Sequence, residues 1–462
     1  MATNYSAVRD DALGESDMTE LLSALKHREV SPAELYDAAR ERLREAQEVL
    51  NAVVVTTEVP SGTGPLAGIP SVLKDNLDLA GYATREGSRA VPDRVHSQDS
   101  AFTADLKATG LAFLAKSTLP EFGLTASTEP LLTGPTRNPW HLDRSTGGSS
   151  GGSAALVAAG AVPVAHANDG GGSIRIPASC CGLVGLKVSR GRVTDAESEK
   201  FLPVSIASEG VVTRTVRDTA LLYSLLERPM AGVPPIGHVR GPGKRRLRVA
   251  LVTQGVPVQH VDAEVVAAVQ RTGGLLADLG HHVQPTTLAL PEQFGRDFLR
   301  YWAALAAFLQ LGGGRMFGPG WDGDQLEPLT KGLADYCRTM VTGVPGMLTR
   351  LRAFPQTYAT MFADCDVILS PVLAAPPVPI GYLSPDIDPR THIIRLLRYA
   401  SFTAAQNVAG APGIAVPAGT SSEGTPIGVH LGGPFGSEAS LLELAYELEG
   451  AAPFPRVPVA SK

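Results

Sequence analysis

Three stretches hold the residues whose types and spacing can do chemistry. Lys74 closes an apolar run, Gly68-Ile69-Pro70-Ser71-Val72-Leu73-Lys74-Asp75-Asn76, that reads as a buried strand carrying one lysine. Downstream come Gly147-Gly148-Ser149-Ser150-Gly151-Gly152-Ser153 and then Asn168-Asp169-Gly170-Gly171-Gly172-Ser173-Ile174-Arg175. A Gly/Ser run taken alone is a flexible loop, but residues 154–167 and 174–186 around these runs are strongly apolar, as a solvated linker would not be. Consecutive glycines let several backbone N–H groups turn toward one point, where they can hold an anion or the oxyanion of a tetrahedral intermediate. Gly170, Gly171, Gly172 and Ser173 can form such a hole. For Lys74 the plain structural reading is an ion pair with Asp75 or another carboxylate.

Other uses of these glycines fit less well. A phosphate loop would place Lys-Ser or Lys-Thr after them, and a dinucleotide fingerprint would open a helix with Gly-x-Gly-x-x-Gly and an acidic partner downstream; neither is present. Gly148-Ser149-Ser150-Gly151-Gly152 does match the Gly-x-Ser-x-Gly nucleophile elbow, and His238, His260, His392 and His430 all follow it, so chain order leaves a Ser-His-Asp esterase centred on Ser150 open. That reading leaves Lys74 and the second Gly/Ser run without a role.

The elements that must position these residues read as alternating helices and strands. Apolar residues at three- and four-residue spacing predict two amphipathic helices within residues 19–55, the second opened by Ser31 as N-cap, Pro32 at the first helical position and Glu34 completing a capping box. The alternation continues through residues 101–116, 156–164 and 248–283, which favours an α/β fold with a mixed, twisted sheet covered by helices on both faces. Residues 229–243, rich in Pro and Gly, form the best linker candidate; Gly413-Ile414-Ala415-Val416 and Ile427-Gly428-Val429-His430-Leu431 read as strands returning to the same sheet. Residues 293–362 are helical and carry Tyr301, Trp302, Phe308 and Trp321, which suits a substrate-shaping lid. One domain is expected over 1–462, with N-terminal helices about 18–50, a catalytic core about 66–230, the lid, and a C-terminal part about 365–455.

A net charge of −6 and a pI near 6.0 argue against a nucleic-acid or anionic-membrane surface. The one dense basic cluster, Lys244-Arg245-Arg246 with Arg248, reads as a solvated loop. Residues 1–17 lack an apolar signal region and no apolar stretch approaches a membrane span, so a cytoplasmic protein is expected. Cys180, Cys181, Cys337 and Cys365 read as buried thiols, and the adjacent His281 and His282 make a poor metal pair. No metal or cofactor is implied.

The two Gly/Ser runs, together with Lys74 in Ile69-Pro70-Ser71-Val72-Leu73-Lys74-Asp75, resemble the amidase signature family of Ser-cisSer-Lys hydrolases. Pro120-Glu121-Phe122-Gly123, Thr136-Arg137-Asn138-Pro139-Trp140, Gly182-Leu183-Val184-Gly185-Leu186-Lys187 and Gly424-Thr425-Pro426-Ile427-Gly428-Val429 stand in the family's order. The resemblance implies that Ser173 attacks the carbonyl, that Ser149, on a cis peptide, relays protons, and that Lys74 is the general base. Burial can lower a lysine's pKa from ~10.4 by several units and so supply the neutral amine this needs. Ser150 resembles the hydroxyl that orients the relay, and Asp169 and Arg175 flank the nucleophile where a buried charge pair can fix the loop. Asn168 departs from the family, where threonine is commoner.

Among the family's activities, a transamidosome glutaminase subunit is disfavoured by Thr118-Leu119-Pro120-Glu121-Phe122 in place of Met-Asp-Glu-Phe, and a membrane-facing lipid amidase by the missing N-terminal span. The expectation is an amidase of the nylon-oligomer and urethane hydrolase-like subgroup, acting on linear, neutral, partly apolar amides, with carbamates and esters as further substrates. Residues 198–208 and 293–362 supply its candidate walls. A monomer or homodimer is expected, with no macromolecular partner.

Overall fold

A computed structural model describes residues 4–459, apart from 197, 198, 200, 201, 256–259 and 289. Two helices, Met18–His27 and Pro32–Leu50, open the chain. The second begins as its sequence dictates: Ser31 Oγ accepts the Glu34 N–H, the Glu34 carboxylate takes the Ser31 N–H at 2.8 Å, and Pro32 fills the first turn. Leu35, Ala38, Ala39, Leu43 and Ala46 form its buried stripe.

The strands are Val53–Val59 (β1), Pro70–Lys74 (β2), Ala112–Ser117 (β3), Arg137–Asn138 (β4), His141–Ser145 (β5), Val164–Asn168 (β6) and Val184–Lys187 (β7), followed by Glu209–Thr213 (β8), Arg248–Leu251 (β9), His282–Pro285 (β10), Val367–Pro371 (β11), Gly413–Thr420 (β12) and Pro426–Gly432 (β13). Eleven of them make one mixed sheet in the order β1-β3-β2-β6-β8-β7-β12-β13-β11-β9-β10, flanked by helices, while β4 and β5 pair separately. β2 is parallel to β3 and β6, whereas β8 runs antiparallel to β6 and β7. β2, β3, β7 and β8 are buried at every position, which is why their sequences are short apolar runs instead of alternating patterns.

Residues 229–243 hold no helix or strand, yet strands from both sides of them share the sheet, with β7 paired to β12. The Pro- and Gly-rich stretch is thus a connection between elements of one sheet. The basic cluster is exposed, as its composition suggests, and takes part in ion pairs at the surface: Arg245 reaches Asp366 at 2.8 Å, and Arg246 pairs with Glu447. His281 accepts the Leu247 N–H at 3.0 Å and lies 3.2 Å from Glu447, an arrangement that stitches β9 to the C-terminal helix Glu438–Ala451. Cys180, Cys181 and Cys365 are buried and Cys337 is half-buried; all four are free thiols. Among the described residues no helix is long and apolar enough to cross a membrane, and no group of three or more His, Cys, Asp or Glu side chains is placed to hold a metal.

A second lysine lies in the sheet beside the first. Register sets Lys116 of β3 opposite Leu73 of β2, and its Nζ sits 2.6 Å from Asp75 Oδ1 with both side chains fully buried. Lys116 Nζ also donates to Ala83 O at 2.7 Å and Thr84 Oγ1 at 2.8 Å, tying the chain after β2 back onto the sheet. Removing the cation while keeping the volume, Lys116→Met, leaves Asp75 buried without its partner. We expect a loss of ~3–5 kcal/mol, read as a lower urea midpoint at neutral pH.

Candidate functional site

β2 and β6 are parallel neighbours that finish side by side, at Lys74 and Asn168. The second Gly/Ser run leaves this end of β6 and leads into the helix Arg175–Cys181, while the first follows β5 of the separate pair and leads into the helix Gly151–Ala158. Here the structure gathers the predicted residues. Lys74 Nζ lies 2.8 Å from Ser149 Oγ, 3.1 Å from Ser150 Oγ and 2.6 Å from Asn168 Oδ1. Lys74 and Ser150 are sealed from solvent and Ser149 nearly so. The Gly148–Ser149 peptide is cis. Asp75, the carboxylate nearest to Lys74 in sequence, instead serves Lys116.

The protons around Lys74 can be placed from what each partner is able to donate or accept. An amide oxygen can only accept, so Asn168 Oδ1 takes one N–H of the amine. Ser150 Oγ gives its own proton to Asn168 O at 3.3 Å and therefore accepts a second N–H from Lys74. In the neutral amine nothing remains for Ser149 but the lone pair, which is the geometry for withdrawing the Ser149 proton. Burial pushes Lys74 down to about 7, against the attraction of Glu209, Glu86 and Asp169, so the neutral form is abundant near neutral pH. Asn168, noted in the sequence only for departing from its family, is thus a direct ligand of the amine.

Ser173 is 8% exposed and sits on a tightly held loop. Asp169 organises this loop: its carboxylate accepts the N–H of Gly172 at 2.7 Å, of Ile174 at 3.2 Å and of Arg175 at 3.4 Å. Arg175 closes a bidentate pair on it at 2.9 Å through Nε and 2.9 Å through Nη2, and Asn407 adds Nδ2 at 2.8 Å. Despite burial, the Arg175 guanidinium and these donors hold the Asp169 carboxyl far below the usual carboxylate range. Gly172 has φ +137° and a Cβ there would run into the Thr403 hydroxyl, so this position must be glycine. One feature departs from the sequence expectation. The Gly172 N–H is already committed to Asp169, while among the described residues the N–H groups of Gly170, Gly171 and Ser173 have no protein partner.

Ser173 opens into a cleft lined mostly by apolar groups, among them Leu124, Phe298, Trp302, Leu396 and Leu397. Phe298 and Trp302 stack with ring centroids 5.5 Å apart, and the Trp302 indole donates to Leu124 O at 2.9 Å. The expected 293–362 region does supply this wall, through its first helix, Phe294–Phe317. Of the other expected wall, residues 198, 200 and 201 lie outside the described residues, and Val204 and Ile206 pack behind the cleft with Phe294 and Tyr301. The opposite side comes from Leu396 and Leu397 of the helix Pro389–Tyr399, which sequence reasoning missed. It also missed Gln406 and Asn407, both on Arg175. Their signal was available: two amides inside the apolar stretch 404–416, the same anomaly that marks Lys74.

Histidines are placed elsewhere. His392 pairs with Thr125 at 2.8 Å, His430 with Arg175 at 3.1 Å, and His238 with Arg240. Among the described residues none hydrogen-bonds Ser149, Ser150 or Ser173.

A buried amine against two hydroxyls, a further serine at an apolar cleft and unpartnered loop amides beside it are the equipment of an acyl-transferring hydrolase. The family model described as Amidase matches residues 20–442, and the chain belongs to that family. It is 42% identical over 464 residues to the putative amidase AmiC of Mycobacterium leprae, covering 98% of both chains. It is 34% identical over 486 residues to the 6-aminohexanoate-cyclic-dimer hydrolase of Paenarthrobacter ureafaciens, covering 95% of both. A solved structure of a 6-aminohexanoate cyclic dimer hydrolase superposes with a TM-score of 0.84 at 30% identity, covering 96% of this chain and 98% of that one.

Because Asp169 has a depressed pKa, its pairing stabilises the fold above the ordinary carboxylate value of ~3.9 and loses that contribution as pH falls toward the folded value. Arg175→Ala removes the partner of a fully buried carboxylate. We expect ~3–5 kcal/mol lower stability at pH 7, a gap to wild type that narrows as pH falls from neutrality, because a buried carboxyl without its cation takes up a proton above the ordinary carboxylate value, and a parallel loss of activity. Urea midpoints measured across pH test this.

Proposed function

We propose that this amidase hydrolyses small, neutral, partly apolar amides through an acyl-enzyme on Ser173, with Ser149 relaying protons and Lys74 as general base. The observation that carries the reading is the 2.8 Å contact between the buried Lys74 amine and Ser149 Oγ, its other two hydrogen bonds being spent on Ser150 and Asn168. Ser173 Oγ attacks the carbonyl carbon while its proton passes to Ser149 Oγ, whose own proton goes to the amine. The Gly170, Gly171 and Ser173 amides receive the developing oxyanion. Lys74 then returns the proton by the same route to the leaving nitrogen, the C–N bond breaks, and water attacks the acyl-enzyme in the reverse sense.

The walls support the choice of acyl group. Among the described residues no charged side chain lines the cleft, so none of them demands a carboxylate or an amine on the substrate. The relative named for the cyclic dimer of 6-aminohexanoate fits the same preference, since that ring is an uncharged, methylene-rich diamide. Carbamates and esters share the carbonyl geometry and are proposed as additional substrates.

Lys74→Ala should lower kcat/KM for such an amide by about 10²–10⁴-fold near pH 7; activity close to wild type would remove the proposed base. Ser173→Ala should abolish both turnover and labelling by a fluorophosphonate, whereas an esterase acting through Ser150 would retain both. Trp302→Ala should raise KM for aryl and long-chain amides more than for acetamide-sized ones, and turnover confined to glutamine across a panel of amides would overturn the substrate assignment.

A further inference from the structure

Beneath Lys74 lies a buried pair that the proposed chemistry does not touch. His166 stands in β6, the strand between Lys74's own β2 and β8, and β8 begins with Glu209. The Lys74 backbone N–H donates to His166 Nδ1 at 3.2 Å, and His166 Nε2 lies 2.8 Å from Glu209 Oε2. Imidazole and carboxylate are both fully shielded from solvent. The backbone N–H can only donate, so Nδ1 is the acceptor, the ring proton sits on Nε2, and Nε2–H donates to the carboxylate. Burial moves His166 below its ordinary value, which keeps the ring neutral in this tautomer. Glu209 Oε1 has no hydrogen-bond partner among the described residues. Among the described residues no Lys or Arg side chain pairs with the Glu209 carboxylate.

We propose that Glu209, acting through His166, is a positioning residue for the base: its buried charge holds Lys74 basic enough to accept a proton, and the imidazole fixes the lysine backbone at the strand end. This rests on Lys74 being the base, as proposed above. The arrangement answers a specific difficulty. An amine buried among two hydroxyls and an amide loses several units of basicity unless negative charge lies nearby, and a carboxylate in direct contact would hold it as an ammonium. Here the carboxylate is held by the imidazole, which in turn takes the Lys74 backbone N–H, so Glu209 is not a direct partner of the amine. The groups facing Lys74 are Ser149 and Ser150 leading into the helix Gly151–Ala158, Asn168 and His166 on β6, Glu209 on β8, and Asp75 with Lys116 on the β3 side. Glu86 and Asp169 add weaker attraction than Glu209.

The test follows Ser173 labelling by a fluorophosphonate as a function of pH, a readout that does not depend on knowing the amide substrate. In wild type the rate should rise along an acid limb set by Lys74. Glu209→Gln removes the charge, makes the amine less basic and moves the limb to lower pH; a displacement of about one unit raises the rate at pH 6, relative to its own plateau, about five-fold. His166→Leu, which strands the carboxylate and favours its neutral form, should move the limb the same way, whereas His166→Gln, able to accept from Lys74 and donate to Glu209, should leave it in place. A uniform loss of rate with an unmoved limb in both Glu209→Gln and His166→Leu would reduce the pair to a structural role and overturn the proposal. Lys74→Ala separates the two readings: wild-type labelling in that variant would sink the base itself, while its loss alongside an unmoved Glu209→Gln limb would sink only the role of Glu209.

Discussion

A lysine amine buried among neutral polar groups constrains most of this molecule. Burying a lysine costs several kcal/mol if it stays charged, and the usual outcome is that it sheds the proton. Lys74 is placed where that outcome is useful. It ends a strand buried at every position, and its polar surroundings, two serine hydroxyls and one amide oxygen, stabilise a neutral amine almost as well as an ammonium. The acceptors arrive from two directions. The serines lead into the helix Gly151–Ala158, and Asn168 comes from the end of β6, so the site exists only where β2 and β6 finish together.

The Ser173 loop is held in a different way, with only part of its amides spent on the protein. Asp169 takes the Gly172, Ile174 and Arg175 amides while those of Gly170, Gly171 and Ser173 stay unpartnered among the described residues. A carboxylate so placed would be untenable in an interior without compensation, and Arg175 with Asn407 provides it. Arg175 in turn contacts Gln406 and His430, so the loop is braced by a helix and a strand from the far end of the chain. Chain segments separated by more than two hundred residues meet at one buried charge pair.

How much of this was legible in the sequence follows from what local pattern can carry. The Ser31 capping box, the buried strand at Lys74, the return of residues 413–431 to the sheet and the identity of the two serine motifs were readable because each depends on neighbours within a few residues or on a match of ordered motifs. Long-range pairings were not. Asp75 looked like the partner of Lys74 because they are adjacent, but Lys74 ends β2 and Asp75, in the turn just after it, meets Lys116 from the neighbouring strand instead. The second cleft wall at Leu396 and Leu397 was missed for the same reason: its helix is amphipathic in the ordinary way, and nothing in a period shows which cavity an apolar face lines. Gly172 illustrates a subtler limit. The glycine run showed that amides converge, and only the Asp169 contact shows which of them has been taken.

Sheet register is what joins these separate demands. His166 is antiparallel to Val211 and one strand removed from Lys74, so any slip between β6 and β8 by a single residue would turn Glu209 to the opposite face and leave His166 Nε2–H without its acceptor. A slip between β2 and β6 would withdraw Asn168 from the amine in the same way. The polar groups around Lys74 therefore act as register keys as well as chemistry: an off-register sheet would bury a histidine, a glutamate and a lysine without partners, at a cost that adjacent apolar strands could not recover. That selection against misalignment is a physical reason for a sheet so apolar near its centre to carry its few polar side chains where the strands end.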